Sequence, residues 1–290
     1  MSELLAPDQV GVFADIPDHV YHADPTSLSS SGARALLRPG TPFEFRYAQD
    51  HPRKPKKEFD VGHAAHSLVL GMGAELREIP EKMLASNGAA STKEAKAFIA
   101  ETRAAGMVPL KPDEYRAVHE MAAAIRRNRH AAALLESGTP ELSMYWDDPA
   151  TGARLRCRPD WMPNLTINGR VVITDYKTST TANPDKFAKS AADFGYPQQD
   201  AWYEDGLIEL GIAEDPVFLF IVQDKNPPYL VSVIELSSAD VEVGRKLNRQ
   251  SIDIFARCME TGVWPDYGDD VHLVSLPSWW RRQHEDRNPW

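Results

Sequence analysis

The stretch Val171-Val172-Ile173-Thr174-Asp175-Tyr176-Lys177 decides the fold, because it is typical of a buried strand that ends in charged side chains. Side chains along a strand alternate between its two faces. Asp175 and Lys177 therefore share one face, and Val171 and Ile173 precede them on that face. A carboxylate and an ammonium then project side by side from the end of an apolar strand. Taken alone, Asp-x-Lys also fits a surface ion pair, so its meaning depends on the surrounding sequence.

The regions on either side of this stretch predict its neighbours in the fold. Strand-like runs precede it at 141–146 and 154–160, and two more follow at 217–223 and 229–235. The order of helices, an antiparallel meander, a crossover helix and further strands predicts an α/β or α+β domain with a central mixed β-sheet flanked by helices. Helices are predicted at 29–37, 59–70, 91–105, 112–135, 184–192, 197–210 and 238–261.

The 290 residues are expected to form a single domain in three parts. Residues 1–135 form a mostly helical part, 136–264 contain the sheet, and 265–290 form an irregular tail rich in Trp and Pro. The content of 42% hydrophobic and 26% charged residues is typical of globular proteins. The chain has no apolar run as long as a transmembrane helix and no signal-like N-terminus. We therefore expect a cytoplasmic protein.

Charge and cysteine content exclude some classes of protein. The formal net charge of −10 argues against a general nucleic-acid coat protein, which is usually basic. It is compatible with a nuclease, because such an enzyme concentrates carboxylates to bind metal ions. The two cysteines, Cys157 and Cys258, are too few for a disulfide framework or for a four-cysteine metal or iron–sulfur site.

A second carboxylate supports a catalytic interpretation of Asp175 and Lys177. Asp160 ends the predicted strand 154–160, and it would meet Asp175 if this strand paired with 170–177 as a hairpin. Two carboxylates and a backbone carbonyl form a site suited to Mg²⁺ or Mn²⁺. Such an ion can polarise a phosphodiester and activate water. Lys177 would orient that water or neutralise charge on the phosphate. Asp160 alone could equally cap a turn.

Two helical motifs add further candidates. Gly62 and His66 lie one turn apart on the predicted helix 59–70, so His66 can present its imidazole to a metal. His63 raises a zinc alternative, but the Glu of H-E-x-x-H is absent. Gln199 and Tyr203 share a helix face, and their side chains could hydrogen-bond phosphate oxygens or a base. Each motif alone also fits structural packing.

Together, the motifs Gly-x-x-x-His, Pro-Asp, Asp-x-Lys and Gln-x-x-x-Tyr occur in an order and spacing that resemble the RecB-type branch of the PD-(D/E)XK nucleases. The chain is most similar to the exonuclease VIII-like (RecE-type) nuclease domain of phages and prophages. The resemblance covers residues 20–264, and the stretches that carry it are 21–24, 28–32, 59–66 and 156–161. Asp175 stands where the superfamily more commonly has Glu. An Asp at this position is usual in the RecB-type branch.

The resemblance implies a PD-(D/E)XK core with two divalent ions, Mg²⁺ or Mn²⁺, in the active site. His66, Asp160 and Asp175 would bind metal, together with the backbone carbonyl of Tyr176. Lys177 would be the catalytic lysine beside Asp160 and Asp175. Gln199 and Tyr203 would contact or orient DNA. Glu141, on the strand 141–146, would be a supporting carboxylate.

The implied reaction is hydrolysis of linear double-stranded DNA from an end, which leaves a single-stranded tail. Such a tail is the substrate of a phage single-strand annealing protein, so that protein is an expected partner in recombination. Relatives form rings around DNA, which implies a homo-oligomer. A bacterial cytoplasm, with a phage or prophage gene, is the expected setting.

Two alternatives remain open from the sequence. The same fold could cut DNA internally, as a structure-specific endonuclease or nickase. It could also serve as a catalytically silent DNA-binding scaffold, although none of the four core positions is lost.

Overall fold

The computed structural model describes residues 6–37, 40–51, 61–72 and 74–285, and within these ranges the side chains of 61–63 and 285 are not described. The helices are α1 Asp18–Ala23, α2 Ser30–Leu37, α3 Pro42–Asp50, α4 Val61–Leu70, α5 Lys93–Ala104, α6 Pro112–Arg127, α7 Arg129–Leu135, α8 Pro184–Phe194, α9 Tyr196–Glu209, α10 Ser238–Thr261 and α11 Ser278–Glu285. The strands are β1 Gly11–Phe13, β2 Leu28–Ser29, β3 Leu76–Glu78, β4 Val108–Leu110, β5 Gly138–Pro140, β6 Ser143–Asp147, β7 Arg154–Cys157, β8 Trp161–Pro163, β9 Thr166–Ile167, β10 Arg170–Ser179, β11 Val217–Asp224 and β12 Val231–Ile234.

The strand predicted around Asp175 is β10, the central strand of the largest sheet. The order in this sheet is β12-β11-β10-β8-β5, and β9 pairs with the start of β10. β10 runs parallel to β11 and antiparallel to β8. The sheet is therefore mixed, as predicted. A four-stranded sheet has the order β1-β6-β7-β2, and β3 and β4 form a small separate pair.

Alternating residues of β10 face two hydrophobic cores, which explains why the strand is apolar along most of its length. Ile173 packs in one core with Trp202 of α9 and Phe218 of β11. Val172 packs in the other core with Met121 of α6. Helices therefore cover both faces of the sheet, and the predicted fold class is confirmed. None of the helices in the described ranges combines the length and apolar character needed to cross a membrane.

The predicted hairpin between 154–160 and 170–177 is wrong. β7 ends at Cys157 and pairs with β6 and β2 in the smaller sheet. The chain then crosses to the larger sheet, where β8 pairs with β10 through Trp161 and Thr174. Pro159 lies in the crossing segment, and its missing N–H cannot continue a strand ladder. Asp160 still arrives beside β10, but as the residue that precedes β8.

Three other predictions of secondary structure need correction. The helix predicted over 112–135 is two helices, because the side chain of Asn128 accepts hydrogen bonds from the backbone of His130 and Ala131 and starts α7. Glu141 lies between β5 and β6 rather than in a strand, with a φ of 48°. The tail is not wholly irregular, since Ser278–Glu285 is helical. Phe59 and Asp60 of the predicted helix 59–70 lie outside the described residues.

The close crossing of α9 and α10 depends on Gly244. A Cβ atom at this position would lie 2.1 Å from the carbonyl oxygen of Pro197. One turn later on α10, the Asn248 side chain donates a 2.8 Å hydrogen bond to the carbonyl of Gln198. The crossing therefore fixes the start of α9, the helix that carries Gln199 and Tyr203.

We expect Gly244→Ala to lower the free energy of unfolding by about 2 kcal/mol, because the new methyl group cannot fit against the α9 backbone. This sign is opposite to the usual effect of Gly→Ala inside a helix, which stabilises by about 1 kcal/mol. Chemical denaturation measures the difference. The exposed Lys246 on the same helix supplies the control, since Lys246→Ala should change stability by less than about 0.5 kcal/mol. A Gly244→Ala protein as stable as wild type would contradict the close crossing.

Candidate active site

The carboxylates of Asp160 and Asp175 meet at the middle of β10. Asp160 precedes β8, and pairing of Trp161 with Thr174 brings it level with Asp175 and Tyr176. The backbone N–H of Tyr176 donates a 2.9 Å hydrogen bond to Asp160 Oδ2. The structure therefore brings together the two acidic residues that the sequence predicts at one site.

Lys177 and Gln199 hold the carboxylate of Asp175 from two sides. Lys177 Nζ lies 2.5 Å from Asp175 Oδ2, as expected for residues two apart on one strand face. Gln199 Nε2, on α9, donates a 2.6 Å hydrogen bond to Asp175 Oδ1. Asp175 is only 3% exposed. A carboxylate so buried is stabilised when an ammonium and an amide both contact it.

His66 reaches the site from the opposite layer of helices. Its Nε2 lies 3.0 Å from Asp160 Oδ2, and its ring packs against the ring of Tyr176 with centroids 5.8 Å apart. The neighbours Ala64 and Ala65 on α4 are buried in the core below. Both are small residues of the core that α4 shares with α6, and this packing positions α4 so that His66 reaches Asp160.

The two carboxylates have opposite pKa shifts. Burial and the negative charge of Asp160 raise the pKa of Asp175, and Lys177 and Gln199 only partly offset this. Burial would also raise the pKa of Asp160, but the hydrogen bond and charge of His66 and the charge of Lys177 bring it below its ordinary value. Burial would lower the pKa of Lys177, yet the charges of Asp175 and Asp160 raise it. Lys177 therefore stays protonated at neutral pH.

The donors present fit a hard divalent cation. Two converging carboxylates raise each other's energy, and a divalent ion between them would relieve that repulsion. Asp160 and Asp175 supply oxygen, His66 supplies nitrogen, and the carbonyl of Tyr176 is next to Asp175 in the chain. Within the described ranges, no three His, Cys, Asp or Glu side chains already stand in a metal-binding arrangement. In this structure the His66 imidazole contacts Oδ2 of Asp160, and the Lys177 ammonium contacts Oδ2 of Asp175.

Gln199, Tyr203 and Glu141 all lie next to this centre. The side chain of Gln199 turns inward to Asp175, and the hydroxyl of Tyr203 donates a 3.0 Å hydrogen bond to the carbonyl of Arg158. Their predicted contacts with DNA stay predictions. Glu141 donates its backbone N–H to the carbonyl of Asp160 at 3.2 Å. Burial raises the pKa of the Glu141 carboxyl, with contributions from Asp18 and Asp160.

A cleft of about 490 Å³ opens beside the carboxylate of Asp160. One wall carries the predicted residues His66, Glu141, Asp160 and Tyr203. The cleft is also lined by Ser29 of β2 and by Ser30, Ser31 and Arg34 of α2, a region that the sequence associates with the family but not with the site. The side chain of Arg158 also lines the cleft, where it pairs with Asp18 at 2.8 Å. Asp160 is therefore open to a ligand from one side.

Sequence reasoning missed the support beneath Tyr176. The Tyr176 hydroxyl donates to the side chain of Gln223 on β11, and Gln223 Nε2 donates to the carbonyl of Met121 at 2.9 Å. This network fixes the residue whose N–H binds Asp160 and whose ring packs on His66. No local pattern marks Gln223, because its role depends on the register of β10 against β11.

Comparison with known families places this fold in a class. Residues 29–277 match a family described as a PDDEXK-like domain of unknown function (DUF3799), and the chain belongs to that family. No curated protein matches the chain. The predicted PD-(D/E)XK relationship is confirmed.

A solved structure shares this fold. A crystal structure from Eubacterium rectale, described as a candidate exonuclease, superposes with a TM-score of 0.56 at 15% identity and covers 93% of this chain and 98% of its own. Two other solved structures superpose less well. They are SSO0001 (12% identity, 80% of this chain and 77% of its own, TM-score 0.33) and LHK-Exo in complex with dAMP (13% identity, 69% and 91%, TM-score 0.25).

Asp200, the neighbour of Gln199 on α9, is a further buried carboxyl that the sequence did not single out. It is 2% exposed, and among the described residues its Oδ1 has no hydrogen-bond partner. Burial and the charge of Glu204 raise the pKa of Asp200 to about 8, and Glu235 adds to this while Arg245 and Arg170 oppose it. The folded protein therefore favours the neutral acid.

We expect Asp200→Asn to stabilise the protein increasingly as the pH rises. Below pH about 4, the carboxyl of Asp200 is neutral in both the folded and the unfolded protein, so its contribution to the stability is complete. Between about pH 4 and pH 8 it ionises in the unfolded protein but stays neutral in the folded one, and the free energy of unfolding therefore falls as the pH rises. The neutral amide avoids this loss. Urea unfolding should show little difference between variant and wild type at about pH 4 and an advantage of up to about 5 kcal/mol for Asp200→Asn at about pH 9, since each pKa unit of the shift corresponds to about 1.4 kcal/mol.

The exposed Asp193 at the end of α8 provides the control for this prediction. Asp193→Asn should leave the pH dependence of stability unchanged. Equal stability of Asp200→Asn and wild type at both pH values would show that Asp200 is not a neutral buried acid.

Proposed function

We propose that this protein is a metal-dependent deoxyribonuclease, and specifically an exonuclease that degrades linear double-stranded DNA from an end. The observation that carries the proposal is the meeting of Asp160, Asp175 and Lys177 on a PDDEXK-like fold, where Asp160 lines an open cleft. This constellation suits phosphodiester hydrolysis, because it combines donors for a divalent cation with a fixed positive charge.

Each residue then has a definite task. Asp160, Asp175 and His66 would hold Mg²⁺ or Mn²⁺, with the Tyr176 carbonyl as a further ligand, and two ions per site are proposed. The metal supplies a Lewis acid that polarises the phosphodiester and activates water. Lys177, which is protonated because Asp175 raises its pKa, stabilises the charge that develops on the phosphate. Gln199 fixes the orientation of Asp175 by its hydrogen bond to Oδ1.

The choice of an exonuclease rests on resemblance. The motifs resemble the exonuclease VIII-like nucleases, and the Eubacterium rectale protein of the same fold is described as a candidate exonuclease. We extend the proposal to the setting of such enzymes. DNA ends are the substrate, the product tail serves a single-strand annealing protein in phage-type recombination, and the chain acts as a homo-oligomer in a bacterial cytoplasm. The domain organisation proposed is one nuclease domain that spans the whole chain.

The test compares linear and covalently closed duplex DNA with wild-type protein and with Lys177→Ala. We expect wild type to degrade the linear form with Mg²⁺ and to leave the closed circle intact. EDTA should abolish the activity. Lys177→Ala should lower the rate by at least about 100-fold, because the charge on the phosphate then lacks its fixed partner. Gel electrophoresis over time measures all of these outcomes.

Lys189→Ala is the matched control, since Lys189 is an exposed lysine on α8. It should cleave as wild type does. Circular dichroism of Lys177→Ala separates loss of chemistry from loss of fold. Cleavage of the closed circle would replace the exonuclease by an endonuclease or nickase. DNA binding by a folded wild-type protein without cleavage would favour a silent scaffold, and cleavage in EDTA would contradict the metal-dependent mechanism.

A further inference from the structure

Two aromatic rings stand at the junction of α8 and α9, beside the candidate active site. Phe194 ends α8 and Tyr196 begins α9, with Gly195 between them in the left-handed region at a φ of 68°. This sharp junction sets the two rings nearly parallel, with an interplanar angle of 26° and centroids 5.9 Å apart. We call Phe194 and Tyr196 the aromatic junction.

The inner ring of the aromatic junction connects the core to the active site. Tyr196 stacks on Phe220 and Phe187, with centroids 5.3 and 5.6 Å away. Lys177 Nζ lies 5.2 Å from the centroid of the Tyr196 ring. Tyr196 is thus anchored from behind by core residues and touches the lysine assigned to catalysis. Any group that packs on the aromatic junction lies close to Lys177.

The outer ring is open to solvent. Phe194 is 52% exposed although it lies next to the cleft. A recess of about 230 Å³ adjoins it, lined by Ser31, Arg34, Ala35, Phe194 and Tyr196. Ser31 and Arg34 also line the cleft beside Asp160. The recess and the cleft therefore share a wall, and a ligand in the cleft can extend onto the aromatic junction.

Positive charge accompanies the rings. The guanidinium of Arg34 donates a 3.3 Å hydrogen bond to the carbonyl of Phe194. A Cβ atom at Gly195 would lie 3.0 Å from Arg34 Cδ, so the arginine packs directly on the junction. Arg34 thus lies beside the exposed ring of Phe194, and Lys177 lies beside the inner ring of Tyr196, in a chain with a net charge of −10. Aromatic faces next to cations match the two parts of a nucleotide, its base and its phosphate.

From these contacts we propose that the aromatic junction is a stacking site for a nucleobase of the DNA strand next to the phosphate being cut. Phe194 is the exposed platform, Tyr196 supports it, and Arg34 contacts the adjoining phosphate. The assignment rests on the proposed nuclease function and adds to it a subsite that recognises an unpaired base. Stacking tolerates every base, because each has an aromatic face. The subsite therefore favours a separated strand end without selecting a sequence.

The test uses a short duplex with a frayed end that carries 2-aminopurine near the terminus, and Ca²⁺ in place of Mg²⁺. A second duplex has an abasic residue at the same position. Fluorescence anisotropy gives the Kd, and quenching of 2-aminopurine reports stacking directly. The proteins are wild type, Phe194→Ala, Phe194→Trp and Phe43→Ala. Phe43 is the matched control, since it is 51% exposed on α3 and lines neither the cleft nor the recess.

We expect Phe194→Ala to raise the Kd for the 2-aminopurine duplex about tenfold and to remove the quenching. Phe194→Trp should restore both, and Phe43→Ala should behave as wild type. The abasic duplex should bind wild type and Phe194→Ala equally, because no base is left to stack.

Three outcomes would overturn the proposal. In the first, Phe194→Ala retains the Kd and the quenching of wild type. In the second, Phe43→Ala weakens binding as much as Phe194→Ala. In the third, the loss of affinity persists with the abasic duplex. Each of these leaves the nuclease function standing if wild type still degrades linear DNA with Mg²⁺. A wild type that neither binds nor cleaves DNA would refute the nuclease function and the stacking site together.

Discussion

The structure depends on one electrostatic constraint, which is the placement of two carboxylates, Asp160 and Asp175, next to each other in a largely buried position. Like charges at short range in a poorly hydrated site cost free energy unless other groups compensate. The protein supplies that compensation through Lys177, His66 and Gln199. Such an arrangement is expensive for a structural site and useful for a catalytic one, because the same repulsion favours binding of a divalent cation.

The rest of the fold supplies the groups that meet this constraint from different directions. β10 brings Asp175 and Lys177, and the crossing from β7 to β8 brings Asp160. One layer of helices delivers His66 and the other delivers Gln199. Both helices are held by close contacts away from the site. Ala64 and Ala65 pack in the core that α4 shares with α6, and Gly244 lets α10 fix the start of α9. The aromatic junction lies beside Lys177 and lines a recess that shares Ser31 and Arg34 with the cleft.

The sequence predicted the elements that depend on local patterns. The apolar alternation in 171–177 identified the central strand, and motif order placed His66, Asp160, Asp175, Lys177 and Gln199 at one site, where the structure brings them together. Prediction from the sequence failed where long-range strand pairing or a single side chain determines the secondary structure. Nothing local shows that the chain changes sheets at Pro159. The helix breaks at Asn128 because its side chain caps the next helix, and this capping competes with a continuous helix through that residue. Gln223, Asp200 and the aromatic junction become visible only once distant elements pack.

The central claim is that Asp160 and Asp175 together bind the catalytic divalent cation. Its most direct test is a crystal structure of the protein grown with Mn²⁺, measured at a wavelength where manganese scatters anomalously. We expect an anomalous peak bonded to carboxylate oxygens of both Asp160 and Asp175. A peak absent from these carboxylates at saturating Mn²⁺, or found only elsewhere in the molecule, would contradict it.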